Sequence, residues 1–156
     1  MDHLFTPWRY QYVTNAAKDD GCVFCRMLGE KDDAKNLIVL RGAKNFVVLN
    51  RYPYTAGHVM VVPYAHVAEL SAVDTETLSE MMLLAQRVQI ALAAAYQPEG
   101  YNLGMNLGRC AGAGVASHLH LHVLPRWAGD TNFMTDRKST RLNSSHIQKS
   151  RMPSSA

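Results

Sequence analysis

Three histidines that alternate with apolar residues are the feature of this sequence with the clearest capacity for chemistry. Residues 118–123 read His-Leu-His-Leu-His-Val. Side chains alternate between the two faces of a strand, so this spacing predicts three imidazoles on one face, about 6.5–7 Å apart, with the apolar side chains facing the core. Neutral imidazole is a nucleophile, an acid–base group near neutral pH and a metal ligand. The pattern therefore predicts a reactive site or a metal site, and only a chance histidine-rich solvent face would have neither role.

A second candidate for chemistry is the pair Cys22 and Cys25, separated by two residues. This spacing supplies half of a tetrahedral zinc site. The alternatives are two buried core cysteines or a redox pair, although a thioredoxin-like pair would require a βαβ context that the predicted elements lack. Cys110 has no partner in the sequence and is assigned no role. An odd number of cysteines also argues against a disulfide framework and is typical of a cytoplasmic protein.

The elements that must position these residues follow from hydrophobic periodicity and from turn residues. Apolar side chains recur at spacings of three and four from Asp74, a candidate N-cap, to Tyr96, and this predicts one long helix. Strands before and after a single helix predict an α+β domain with an antiparallel sheet. Short apolar runs predict the strands at 37–40, 46–49, 58–62, 101–107 and 118–124.

Charge and hydropathy exclude several classes of protein. The net charge is +3, but residues 137–156 carry five cations and no acid, so removing those five charges turns +3 into −2 for the rest of the chain. The overall charge gives no case for nucleic-acid binding. We find no apolar run of the roughly 18 residues that span a membrane and no signal peptide at the start. We expect a cytoplasmic protein that binds neither nucleic acid nor membrane.

Several segments, in order along the chain, resemble the histidine triad (HIT) family. Residues 118–124 match its signature, in which histidines alternate with apolar residues. The further matches cover roughly residues 22–134, and the segments at 6–9 and 129–133 resemble the bacterial branch that includes diadenosine tetraphosphate phosphorylase. The other matching segments are 50–51, 57–63 with His66, 106–108, 111–114 and 124–130.

The resemblance implies a HIT-like fold, a homodimer that builds one continuous sheet, and a reaction at the α-phosphate of nucleotides. Substrates would be dinucleoside polyphosphates or nucleoside phosphoramidates, as in the phosphorylase and fragile-histidine-triad branches. His120 would attack phosphorus to form a nucleotidyl-histidine, and His122 would assist the leaving group. His58 occupies the family's fourth-histidine position, although a structural histidine at a strand start is the alternative interpretation.

The resemblance also implies the groups that bind the nucleotide. Asn50 would bind the ribose, and the purine would lie against the strand at 46–49. A loop of small residues before the triad permits close backbone approach to phosphate, although such a loop is more often only a tight turn. The predicted phosphate ligands are Asn106, Gly112, Gly114 and Ser117.

In related proteins a cysteine pair binds structural zinc together with two histidines, which correspond here to His66 and His118. The resemblance therefore implies the ligand set Cys22, Cys25, His66 and His118. Mg²⁺ would accompany a polyphosphate substrate without being required for catalysis. The alternative to an enzyme is a non-catalytic module that binds nucleotide or zinc.

The composition changes abruptly after residue 136. Residues 137–156 hold five cations and six serines and few apolar side chains, a mixture that predicts disorder. Residues 137–146 look like translated sequencing-adapter DNA, so we expect this tail to be foreign to the domain; a natural basic tail is the alternative. The sequence then divides into an arm at 1–21, a C-terminally truncated HIT domain at 22–136 and the tail at 137–156.

Overall fold

The computed structural model describes residues 21–130. Most of the predicted arm and the whole predicted tail lie outside the described residues. The chain divides into two units, the first ending at Arg126 and the second beginning at Trp127. In the second unit Trp127 and Asp130 form a turn, in which the Asp130 N–H donates to the Trp127 carbonyl at 3.0 Å and the Asp130 carboxylate accepts from the Trp127 N–H at 3.0 Å.

Within residues 21–126 the first unit contains two α-helices and one antiparallel sheet of five strands in the order β1-β2-β3-β5-β4. This confirms the α+β class with an antiparallel sheet and one long helix. Within residues 21–130 no helix is long and apolar enough to cross a membrane. The elements are α1 (Val23–Glu30), β1 (Ile38–Arg41), β2 (Asn45–Leu49), β3 (Val59–Pro63), α2 (Thr75–Tyr96), β4 (Gly100–Gly104) and β5 (Leu121–Arg126), with short 3-10 helices at Leu70–Ala72 and Arg109–Ala111.

The last strand differs from its prediction at both ends. It begins at Leu121 rather than His118, because the preceding segment hydrogen-bonds to the chain beyond β3: the Leu119 N–H donates to the Val67 carbonyl at 2.7 Å. It also continues through Pro125, which lacks an N–H. Proline is tolerated there because the register of β5 with β3 ends at Val123, so Pro125 pairs with β4 alone.

Each face of the sheet carries a buried apolar cluster, and a different helix packs on each face. Alternate residues pack on α2 in one cluster that includes Leu119, Leu121 and Val123. The residues between them pack with Phe24 of α1 in a second cluster that includes Met60. His122 is the register partner of Met60, so it lies on the α1 face. The predicted alternation is confirmed, since the apolar residues between the histidines are in the core.

Helix α2 begins and ends where the sequence predicts. Asp74 is the N-cap, and its carboxylate accepts from the Thr77 N–H at 2.8 Å and from the Thr77 hydroxyl at 2.7 Å. Gln97 ends the helix in a left-handed conformation with φ 48°. The predicted apolar stripe is wrong at Met82 and Ala95, which are exposed, and it omits Leu84, which is buried. The spacings of three and four predict a stripe of Leu78, Met81, Met82, Ala85, Val88, Leu92 and Ala95.

Glu80 of α2 fastens the helix to the β1–β2 turn. Its carboxylate accepts from the N–H groups of Ala43 (2.6 Å), Lys44 (2.7 Å) and Asn45 (2.8 Å), and from the Asn45 amide at 2.9 Å. Gly42 leaves room for it, since a Cβ there would lie 2.8 Å from Glu80 Oε1. One side chain therefore holds the hairpin against the helix.

We expect Glu80→Gln to lower the free energy of unfolding by about 2 to 3 kcal/mol, measured by urea denaturation at pH 7. The amide nitrogen of glutamine can only donate, so in place of Oε2 it would leave the partly buried N–H and side-chain amide of Asn45 without their acceptor. Glu76→Gln is the control, because Glu76 is exposed and its pair with Lys44 spans 3.6 Å; it should cost less than about 0.5 kcal/mol.

The cost should also depend on pH. Burial raises the pKa of Glu80, but hydrogen bonds from Asn45, Ala43 and Lys44 outweigh burial and lower the pKa overall. The contribution is therefore complete above the unfolded-state pKa of about 4.3 and is lost as pH falls through the folded-state value. A difference between variant and wild type that stays constant into acid would contradict this assignment.

Candidate active site

His120, the predicted nucleophile, is buried with one ring nitrogen held by the backbone. Its Nδ1 lies 2.9 Å from the carbonyl oxygen of His118. A carbonyl can only accept, so Nδ1 carries the proton and the Nε2 of a neutral ring carries the lone pair. Burial lowers the pKa of His120, against the opposing effect of this hydrogen bond. The arrangement favours a neutral imidazole with a nucleophilic Nε2.

His122 and His58 form a buried hydrogen-bonded pair beside it. His58 Nε2 lies 2.9 Å from His122 Nδ1, and the His120 and His122 ring centroids are 4.7 Å apart. The ring of Tyr54 stacks on His58 at 5.1 Å. The structure thus brings together all three residues for which the sequence predicts a catalytic role.

Asn50 lies beside this pair. Its amide nitrogen is 3.2 Å from His58 Nδ1, and its amide oxygen accepts from the Tyr52 N–H at 2.9 Å. The predicted phosphate loop runs from Asn106, which is half-buried, to Ser117, directly before His118. Gly112 there adopts φ 88°, a conformation that favours glycine. Its N–H donates to the Arg109 carbonyl at 3.0 Å, so in this structure it is not directed at a phosphate as the sequence predicts.

The side chains of Cys22, Cys25, His66 and His118 converge on one point. Their ligand atoms all lie within 4.8 Å of one another, and the set could hold a metal ion. Sulfur-to-nitrogen distances are 3.2 Å for Cys22 and His118, 3.3 Å for Cys25 and His66, and 3.7 Å for Cys25 and His118. A tetrahedral zinc site has S···N separations of about 3.6 Å, so the donors fit such an ion.

The surroundings of the cluster suit metal binding. His118 Nε2 lies 2.9 Å from the Pro63 carbonyl, which holds the proton on Nε2 and leaves Nδ1 for coordination. Burial lowers the pKa of His118 and favours the neutral ring that coordinates. Burial and the neighbouring Cys22 raise the pKa of the Cys25 thiol, an effect that a bound cation would offset.

Sequence reasoning missed the residue that separates the two parts of the site. Phe24 of α1 is buried, with its ring centroid 5.3 Å from that of His118 and 5.2 Å from that of His120. Its position between Cys22 and Cys25 was the available signal, because any structure that brings both cysteines to the histidines also brings Phe24 there.

Histidines that alternate with apolar residues and lead into a sheet strand, with a fourth histidine hydrogen-bonded to the last of them, define a histidine triad protein. The HIT domain family model matches residues 31–129, and the chain belongs to this family. It is 38% identical over 143 residues to the AP-4-A phosphorylase of Mycobacterium tuberculosis, covering 86% of this chain and 73% of that protein.

Two further relatives show how broadly the similarity extends. The adenosine 5′-monophosphoramidase of Schizosaccharomyces pombe is 30% identical over 105 residues, covering 67% of this chain and 74% of the relative. The crystal structure of a zinc-bound histidine triad family protein from Mycobacterium smegmatis superposes with a TM-score of 0.64 at 32% identity, covering 72% of this chain and 81% of that one.

We expect the Cys/His cluster to bind about one tetrahedral divalent ion per chain. Cobalt is a suitable probe, since tetrahedral Co²⁺ bound to thiolates gives near-ultraviolet charge-transfer absorption and visible ligand-field absorption. Cys25→Ser should lose most of this absorption and lower the melting temperature, because metal binding is coupled to folding.

Cys110→Ser is the matched control, because Cys110 is exposed and lies outside the cluster. It should bind cobalt as the wild type does. Undiminished cobalt absorption in Cys25→Ser would refute the assignment of this cluster as a metal centre.

Proposed function

We propose that this protein is a nucleotide hydrolase or nucleotidyltransferase acting at the α-phosphorus of dinucleoside polyphosphates or nucleoside phosphoramidates. The observation that carries the proposal is the 2.9 Å hydrogen bond from His120 Nδ1 to the His118 carbonyl. It holds the ring in the tautomer whose Nε2 is nucleophilic.

In the first step the Nε2 lone pair of His120 forms a bond to phosphorus, and the bond from phosphorus to the leaving group breaks. The electron pair of that bond moves to the leaving group. The ring in the resulting nucleotidyl-histidine is cationic, and its Nδ1–H still donates to the His118 carbonyl, which stabilises the charge. In the second step the oxygen of water or of inorganic phosphate attacks phosphorus, and the electron pair of the P–N bond returns to Nε2. When water attacks, its proton is released to solvent.

His122 is proposed to stabilise the leaving group, with His58 holding its ring. The 4.7 Å between the His120 and His122 centroids supports this role, because it places a second imidazole next to the attacking one. A hydrogen bond to the leaving oxygen lowers the barrier when charge develops on that oxygen.

The nucleotide is proposed to bind with its α-phosphate at the loop before His118 and its purine at Leu49, because the Phe46, Val47 and Val48 side chains of β2 are buried. Backbone N–H groups from Gly114 to Ser117 and the Asn106 amide would bind phosphate oxygens. Mg²⁺ would enter with a polyphosphate substrate, as its usual counterion, and no residue here is assigned to it.

The acceptor in the second step decides whether the reaction is hydrolysis or phosphorolysis. The Mycobacterium tuberculosis relative is named a phosphorylase, which favours inorganic phosphate, and the Schizosaccharomyces pombe relative is named a phosphoramidase. Turnover of diadenosine tetraphosphate with and without phosphate would separate the two reactions.

The metal in the Cys/His cluster is proposed to be structural zinc. Two thiolates with two imidazoles form a typical closed zinc site, and all four positions are filled by protein. The zinc-bound Mycobacterium smegmatis relative supports this choice. Zinc there would join α1 to the segment before β5 and take no part in the bond changes.

We also propose a two-fold dimer formed through α2 and β4. Within the described residues β4 pairs with β5 alone, so one edge of the sheet is open to a second copy. Apolar side chains are exposed beside this edge, which favours an interface. They are Met82, Leu83 and Leu103, and all three line one groove.

His120→Ala should lower kcat by at least about 10⁴-fold while nucleotide binding changes much less, because a nucleophile acts mainly in the transition state. Quenching wild-type enzyme with substrate labelled at the α-phosphate should trap a phosphoramidate that is acid-labile and base-stable. Substantial turnover by the alanine variant would rule out the mechanism. Tight nucleotide binding by wild type without turnover would instead indicate a non-catalytic module.

Leu83→Lys should convert the proposed dimer to monomer, measured by sedimentation equilibrium, because a buried unpaired ammonium is costly. Val39→Lys is the control, since Val39 is equally exposed but lies on β1 at the opposite sheet edge. A wild-type monomer, or a dimer unaffected by Leu83→Lys, would contradict this interface.

A further inference from the structure

We propose that Asn50 is a positioning residue that, together with the Tyr54 N–H, fixes the protonation pattern of His58 and, through it, of His122. This inference rests on the proposed function for what His122 does in the reaction. It assigns Asn50 a different task from the ribose contact that the family resemblance implies.

The orientation of the Asn50 amide is set by the backbone. Its oxygen accepts from the Tyr52 N–H at 2.9 Å, and a backbone N–H can only donate. The atom that lies 3.2 Å from His58 Nδ1 is therefore the amide nitrogen, which is also only a donor. Asn50 is fastened to the same residue through its backbone, since its N–H donates to the His58 carbonyl at 3.0 Å.

Two donors consequently meet at His58 Nδ1. The second is the Tyr54 N–H, also at 3.2 Å. Because both can only donate, Nδ1 must accept, and the proton of a neutral His58 ring is on Nε2. The tautomer of His58 is thus set by an amide and a backbone group that cannot change their own protonation near neutral pH.

The tautomer of His58 in turn sets the tautomer of His122. His58 Nε2–H donates to His122 Nδ1 across 2.9 Å, so His122 Nδ1 is an acceptor and its ring proton is on Nε2. His122 therefore offers an N–H, and not a lone pair, to a reacting group.

This pattern fits a stabiliser of the leaving group. When the P–O bond breaks, its electron pair moves to the leaving oxygen, and that oxygen accepts a hydrogen bond from His122 Nε2–H. For such a polyphosphate leaving group no proton needs to move along the chain, and none could arrive from Asn50; the leaving nitrogen of a phosphoramidate would take its proton from solvent. The reverse tautomer would present a lone pair to the developing negative charge and would raise the barrier.

Asn50→Asp tests the assignment, because a carboxylate accepts where the amide donates. An Asp beside His Nδ1 holds a neutral ring with its proton on Nδ1, as in the serine-protease triad. The two-bond ¹H–¹⁵N correlations of histidine-labelled protein at pH 8 identify each tautomer. We expect Nε2–H for His58 and His122 in the wild type, and Nδ1–H for His58 in the variant.

Two controls accompany this measurement. His120 should keep its Nδ1–H in every variant, since its partner is the His118 carbonyl, and this also reports an intact fold. Arg51→Gln lowers the charge of the same loop by one, as Asn50→Asp does, without touching the chain of hydrogen bonds, and it should leave all three tautomers unchanged. An unprotonated His58 Nδ1 in Asn50→Asp would overturn the proposal.

Kinetics separate this role from ribose binding. For Asn50→Asp we expect kcat to fall roughly tenfold more with a weakly acidic leaving group than with nitrophenolate, since only the former depends strongly on His122. A carboxylate can still accept from ribose hydroxyls, so a ribose ligand would tolerate this change. Asn50→Ala keeps the Tyr54 donor and should keep the His58 tautomer with a small loss of kcat.

Equal increases of KM for all leaving groups in both variants, with normal tautomers, would identify a ribose ligand and refute the positioning role. A wild-type protein with the expected tautomers but no turnover of any nucleotide would support the hydrogen-bond assignment and overturn the proposed function instead.

Discussion

The hydrogen bond from His120 Nδ1 to the His118 carbonyl depends on how firmly His118 itself is held. The His118 ring is fixed at both nitrogens. The Cys22 thiol contacts Nδ1, and the Pro63 carbonyl accepts from Nε2. The next residue is fixed by the Leu119 N–H on the Val67 carbonyl at 2.7 Å. The His118 carbonyl lies between these fixed groups and has little conformational freedom. It therefore holds the His120 ring in one orientation. The proposed zinc site can in this way support the reaction without touching the substrate.

Strand β3 positions both the histidine pair and the Cys/His cluster through its pairing register with β5. His58 lies directly before it, the Pro63 carbonyl is at its end, and His66 follows three residues later. Its pairing of Val59 with Val123 and of Val61 with Leu121 places His122 opposite Met60. A slip of one residue would move every side chain of β5 to the other face of the sheet. The alternating Leu119, Leu121 and Val123 prevent that slip, because it would bury imidazoles against α2 and remove their apolar packing.

The parts of this structure that a sequence predicts are those with a period or a local hydrogen bond. The alternation around His120 and the helix capped by Asp74 are of this kind, and both are confirmed. Helix α1 was missed because it is only eight residues long, has no side-chain cap at Cys22, and is stabilised by Phe24 packing on the sheet. The amide of Asn50 was beyond prediction for another reason. Its partner His58 is eight residues away across an irregular loop, and no periodicity relates the two.

Adjacent imidazoles of the triad acquire different chemistry from their partners rather than from their own structure. A carbonyl acceptor places the proton of His120 on Nδ1, whereas donors at His58 place the protons of His58 and His122 on Nε2. Two rings 4.7 Å apart thereby present a lone pair and an N–H, which are what attack and departure at one phosphorus atom require. A second nucleophile at His122 would compete with the first, and a second donor at His120 would abolish it. In the proposed reaction this division of roles would be fixed by one carbonyl, one amide and one backbone N–H, none of which titrates near neutral pH.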